Sequence, residues 1–84
     1  MFNTSPSLSP GSCAATNAGK IAKDLGRYEL SLELYNHAIF LEPDSITTRY
    51  ARGNLFITLA GLADDIKTRE ELLEKARADF EKIQ

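Results

Sequence analysis

Eighty-four residues make one small domain at most, with a core near the lower limit for independent stability. An apolar share of 43% and a charged share of 26% are those of an ordinary globular chain, and a net charge of -2 argues against general nucleic-acid binding, which shows as a basic excess. No apolar run approaches the roughly 20 residues a membrane-spanning helix needs, residues 1–12 lack the features of a secretory signal, and the single Cys13 cannot close an internal disulfide. The address these features imply is the cytoplasm, or the nucleus.

Residues 1–12 are rich in Ser, Pro and Gly and carry little apolar surface, so they are expected to form a disordered leader. Ser5-Pro6 and Ser9-Pro10 are candidate sites for proline-directed phosphorylation, and Asn3-Thr4-Ser5 matches a glycosylation pattern that is inert without secretion. From Cys13 the composition turns helical. A first helix is expected over 13–25, capped by Ser12, burying Ala14, Ala18, Ile21, Ala22 and Leu25, and stopped by a left-handed Gly26. A second helix is expected over 28–41, ended by Pro43, because a residue before proline is pushed out of the helical region. It is apolar nearly all round, so it should lie between the first helix and the third. The third is expected over 46–60, with Ser45 or Asp44 as cap and Gly61 just past its end. The fourth should begin at Thr68, whose spacing to Glu71 matches a capping box, and run to Ile83. Its narrow stripe (Leu72, Leu73, Ala76, Phe80, Ile83) marks an outer layer, with Asp79 among the charges assigned to water.

Gly19 and Gly53 lie thirty-four residues apart, each inside a helix where glycine costs about 1 kcal/mol against alanine. Together with Gly26-Arg27-Tyr28-Glu29-Leu30-Ser31, Tyr35, Ala38 and Pro43, this stretch resembles the tetratricopeptide repeat, a helix–turn–helix unit of that period. The resemblance implies that small Gly19, Ser31 and Ala38 allow close helix approach and that Tyr35 fills the gap between the helices. Ser31 stands where alanine is usual, and the early aromatic and leucine positions hold neither tryptophan nor leucine. Tyr50-x-Arg52-Gly53-Asn54 looks like the opening of a second repeat. Ala76, Phe80 and Ile83 repeat the spacing of Ser31, Tyr35 and Ala38 at an offset of forty-five, leaving about eleven extra residues, most of them assigned to a lengthened turn. The expected fold is all-α: a four-helix stack of two antiparallel hairpins, with the leader at 1–12, a helical domain over 13–84, repeats over 13–45 and 46–84, and an insertion near 61–68. Two repeats are fewer than the three that usually bury a continuous core. A fragment or short isoform of a longer array, a self-associating chain and a marginal monomer are the readings this leaves.

Little in the chain suggests catalysis, metal binding or a cofactor. Cys13 and His37 fall on different helices with no pairing between them, and Asp64-Asp65 read as a cap or a solvated turn. In the tetratricopeptide family the first helices of successive repeats line a groove that binds peptides. By resemblance the groove face here is Thr16, Lys20 and Lys23 of the first helix, and Thr47, Tyr50, Asn54 and Ile57 of the third. The lysines would meet a carboxylate, Asn54 a peptide backbone, and Tyr50 and Ile57 an apolar side chain. One subgroup docks the acidic tails of heat-shock chaperones through a carboxylate clamp. The clamp positions hold Thr16, Lys20 and Ala51 in one register, or Asn17, Thr47 and Ala51 in the other, so the clamp is not intact. The expected function is therefore a protein–protein interaction module, an adaptor or scaffold, with a self-associating structural element as the alternative and no membrane insertion.

Overall fold

The computed structural model describes residues 10–83, which form α1 (Pro10–Asp24), α2 (Tyr28–Leu41), α3 (Ile46–Leu62) and α4 (Ile66–Ile83), with no strand among them. Residues 1–9, with the Asn3 pattern, Ser5-Pro6 and Ser9, lie outside the described residues. The helices pack as α1 on α2, α2 on α3 and α3 on α4; α1 also brushes α3, whereas α4 touches α3 alone among the described residues. In a closed four-helix bundle the first and last helices meet. Here they do not, so the molecule is a linear stack of two antiparallel hairpins, as expected from the sequence.

Each hairpin turns in three residues. The first turn is a Schellman motif: Arg27 N–H donates to the Ala22 carbonyl and Gly26 N–H to the Lys23 carbonyl, with Gly26 at φ +81°. α2 has the bounds that Tyr28 and Pro43 predict. Ser45 caps α3, its hydroxyl accepting the Thr48 N–H at 3.2 Å.

Elsewhere the structure departs from expectation. α1 begins at Pro10, a residue suited to a first helical turn because its missing N–H has no helical partner to lose. Ser12 is therefore a buried interior residue, not a cap, and 10–12 belong to the domain rather than to a leader. The buried face of α1 is its small one, Ser12, Ala15, Thr16, Gly19 and Ala22; Ala14, Ile21 and Leu25 are exposed and Ala18 is half-buried. Close approach to α2 selects small residues, and the larger ones point away. α2 buries small Ser31 and Ala38 on either side of one large ring, Tyr35, while Leu30, Phe40 and Leu41 face outward.

The insertion near 61–68 is not a loop. Gly61 lies inside α3, which ends at an extended Ala63, and α4 starts before Thr68. α1 runs five residues beyond Gly19, whereas α3 runs nine beyond Gly53. Seven residues of α2 precede Tyr35, whereas fourteen of α4 precede Phe80. The eleven extra residues thus divide into four and seven, close to one and two helical turns at 3.6 residues each. Whole turns lengthen a hairpin without rotating its faces, so the pairing of Gly53 with Phe80 survives. Asp65, not a Thr68–Glu71 box, caps α4: its carboxylate accepts the Thr68 N–H at 2.9 Å and the Thr68 hydroxyl at 3.0 Å. Those bonds hold the Asp65 carboxyl below its ordinary value, the backbone one most strongly.

Both hairpins close through the same device. A Cβ on Gly19 would lie 2.6 Å from the Tyr35 ring, and one on Gly53 2.6 Å from the Phe80 ring, so each glycine admits an aromatic face against its helix backbone. At the first crossing the Ser31 hydroxyl donates to the Gly19 carbonyl at 2.7 Å, a bond an alanine there could not make and worth about 1 kcal/mol. The core lies where α2 meets α3: Tyr35, 1% exposed, packs with Ala51 and Leu55, flanked by Tyr28, Leu32 and Leu59. Full burial of one such large side chain stabilises by about 2 kcal/mol.

Asp79 corrects another expectation. Its side chain is 3% exposed and accepts two bonds from Arg52, from Nε at 2.8 Å and Nη2 at 2.6 Å, with Arg49 at 3.6 Å. Arg52 also donates to the Asn36 side chain at 2.9 Å. One guanidinium therefore ties α2, α3 and α4 together.

Candidate functional site

The seam between α1 and α3 opens into a cleft of about 300 Å³ lined by Lys20, Lys23, Asp24, Tyr35, Thr47, Tyr50, Ala51 and Asn54. Helical spacing brings Lys20, Lys23 and Asp24 to one rim and Thr47, Tyr50, Ala51 and Asn54 to the other. The Tyr35 ring, held in the gap by Gly19, makes the floor. Burial pushes the Tyr35 phenol above its ordinary value, with the negative charge of Asp24 adding to the rise and Ser31 opposing it. Among the described residues, the side chains of Lys20, Lys23 and Asn54 take part in none of the hydrogen bonds or ion pairs that hold the fold. The cleft thus offers two cations, one anion, a side-chain amide and two aromatic groups.

Five of the seven residues expected on the groove face converge here: Lys20, Lys23, Thr47, Tyr50 and Asn54. Thr16 does not share the exposed rim. It is 5% exposed, and its hydroxyl lies 2.9 Å from the Ser12 carbonyl and 2.7 Å from the Thr48 hydroxyl. A carbonyl only accepts, so the one Thr16 proton goes to Ser12 and Thr16 accepts from Thr48. The Thr48 proton is then spent, and Thr48 accepts in turn from Ser45 at 3.0 Å. The α3 cap is thereby wired to the α1 backbone, and Thr16 serves the seam. Above it a second cleft, about 240 Å³, continues the groove past Ser12, Cys13, Asn17, Glu42 and Ser45, with buried Thr16 and Thr48 in its wall and Thr47 shared with the first.

Ile57 falls elsewhere, in a third cleft of about 330 Å³ with Leu73, Ala76, Arg77, Phe80 and Glu81. The Tyr50 ring spans the ground between the two regions, its centroid 5.8 Å from that of Phe80. The sequence reading did not include Asp24 and Tyr35 in the groove. Asp24 was visible four residues after Lys20 as a same-face neighbour, whereas the reach of Tyr35 to the groove floor follows from the glycine crossing.

His37 and Cys13 are exposed, as are Asp64 and Asp65, and no set of three metal-ligating side chains gathers among the described residues. Among those residues no helix is long and apolar enough to cross a membrane. Comparison with family models, curated proteins and solved structures found no match for the chain.

Proposed function

We propose that the chain is a protein–protein interaction module of the tetratricopeptide kind, an adaptor or scaffold segment without catalytic chemistry, acting in the cytoplasm or nucleus. It holds a peptide segment of a partner protein in the cleft between α1 and α3. The observation that carries this reading is the convergence of Lys20 and Lys23 with Thr47, Tyr50 and Asn54, from helices far apart in sequence, on one cleft. A concave site with an apolar floor and a few unpaired polar groups is what peptide recognition needs. The lysines attract a carboxylate, Asn54 can bond both the N–H and the C=O of an extended backbone, and Tyr50 supplies an amphipathic anchor.

Panning a displayed random-peptide library on the chain tests the proposal. Selected peptides should bind the native chain and lose about tenfold in affinity, or 1.4 kcal/mol, with Lys20→Ala, Lys23→Ala or Asn54→Ala. Peptides that bind all three variants as tightly as the native chain would remove the cleft from the account.

A further inference from the structure

α3 buries two faces and α1 only one, and the difference is informative. On α3, Ala51, Leu55 and Leu59 meet Tyr28, Leu32 and Tyr35 of α2. Shifting by the thirty-four residues that carry Gly19 to Gly53, the matching positions are Asn17 and Ile21 of α1 and Leu25 one residue past its end. All three are exposed, Ile21 at 59% and Leu25 at 70%. Shifting α2 by the forty-five that carry Tyr35 to Phe80, the matching positions of α4 are Leu73, Arg77 and Phe80. These three line the open cleft beside Ile57. Phe80 is only half-buried where its counterpart Tyr35 is sealed. The chain therefore presents, at opposite ends of its stack, both halves of its own internal α2–α3 interface.

We infer that a second copy of this chain occupies the Leu73–Phe80 cleft, its α1 seated on α4 as α3 is seated on α2. Ile21 of the incoming copy takes the place of Leu55, Leu25 that of Leu59, and Asn17 that of Ala51. Arg77 stands where α2 has Leu32; its head group is drawn aside by Glu74 at 3.4 Å and Glu81 at 3.2 Å, leaving its alkyl stem to line the cleft. The contact is heterologous, α1 face to α4 face, so it does not close on itself in a pair and propagates head to tail. It continues the helical stack across the junction and does not depend on what the α1–α3 cleft binds.

Sedimentation of the full chain across a concentration range, with two variants and their mixture, decides the matter. Ile21→Asp spoils only the donor face and Leu73→Asp only the acceptor face, and both positions are exposed in one copy. The native chain should gain mass with concentration to two or more copies, and each variant alone should remain single. An equimolar mixture should stop at two copies, because one good donor and one good acceptor remain. As a check independent of these variants, a short bismaleimide should join Leu25→Cys to Leu73→Cys, both in a Cys13→Ser background, and should not join either to itself. A native chain that stays single throughout, variants that assemble like it, or a mixture that fails to pair would each overturn the inference.

Discussion

The two hairpins share one closure and differ in what lies beyond it. In the first, Gly19 receives the Tyr35 ring and α3 then covers that ring with Ala51 and Leu55. In the second, Gly53 receives the Phe80 ring at the same distance, but among the described residues no other helix packs on α4, and Phe80 keeps contact with solvent. The polar fittings differ too. Ser31 bonds a backbone carbonyl at the first crossing, whereas the second hairpin sinks a carboxylate, Asp79, beneath two arginines. A helix crossing is thus specified by a glycine and a ring, while the neighbour stacked on top decides whether that ring is sealed from water.

The sharpest way to break the comparison is to remove the device found only in the second hairpin. Arg52→Ala leaves Asp79 buried with a single arginine at 3.6 Å, and loss of one partner from a buried pair costs about 3–5 kcal/mol. Chemical denaturation should show a loss of that order. Asn36→Ala, which removes only an exposed bond to the same guanidinium, should cost less than about 1 kcal/mol by the same measurement.

A middle-sized effect compares the crossings directly. Gly19→Ala forces a methyl against a ring that α3 pins in place, and overpacking of that kind costs about 1–3 kcal/mol. Gly53→Ala meets a ring with an open side, so Phe80 swings outward and the better helix propensity of alanine recovers about 1 kcal/mol. Thermal melts of the two variants should therefore separate, with Gly19→Ala the less stable.

The smallest effect is local to the long second hairpin. Because the Asp65 carboxyl titrates below its ordinary 3.8, the support it lends the start of α4 is whole above that pH and is lost as pH falls through the lower folded value. The Thr68 amide resonance should titrate with a midpoint under 3.8 and should become flat in Asp65→Ala.

Much of the fold was legible in the residues. Pro43 and the Gly26-Arg27-Tyr28 step set both ends of α2, Ser45 was one of two visible caps for α3, and the glycine spacing foretold the repeated crossing. The faces of α1 and α2 were less so, because ranking by hydrophobicity favours large side chains while close packing here buries Ser12, Ala15, Thr16 and Ser31. Gly61 read as a stop, yet glycine inside a helix costs only about 1 kcal/mol, which whole-turn extension of both helices offsets. For the site, the groove face implied by the repeat resemblance collected Lys20, Lys23, Thr47, Tyr50 and Asn54. It did not show that Thr16 is buried in the groove wall, because a hydroxyl chain across the seam depends on which helices meet, nor that Ile57 lines a separate cleft, because the stripe it shares passes from one cleft to another. Asp79 was misassigned for the same reason: its two arginines come from α3.

The claim that a bare helix backbone meets an aromatic face is tested most directly by a double-mutant cycle at Gly19 and Tyr35. Stability would be measured by denaturation for the native chain, Gly19→Ala, Tyr35→Leu and the pair. With the ring in place the added methyl should destabilise; with leucine in its place the methyl should be tolerated, giving a coupling of about 1–3 kcal/mol. Equal costs of Gly19→Ala in both backgrounds would contradict the account.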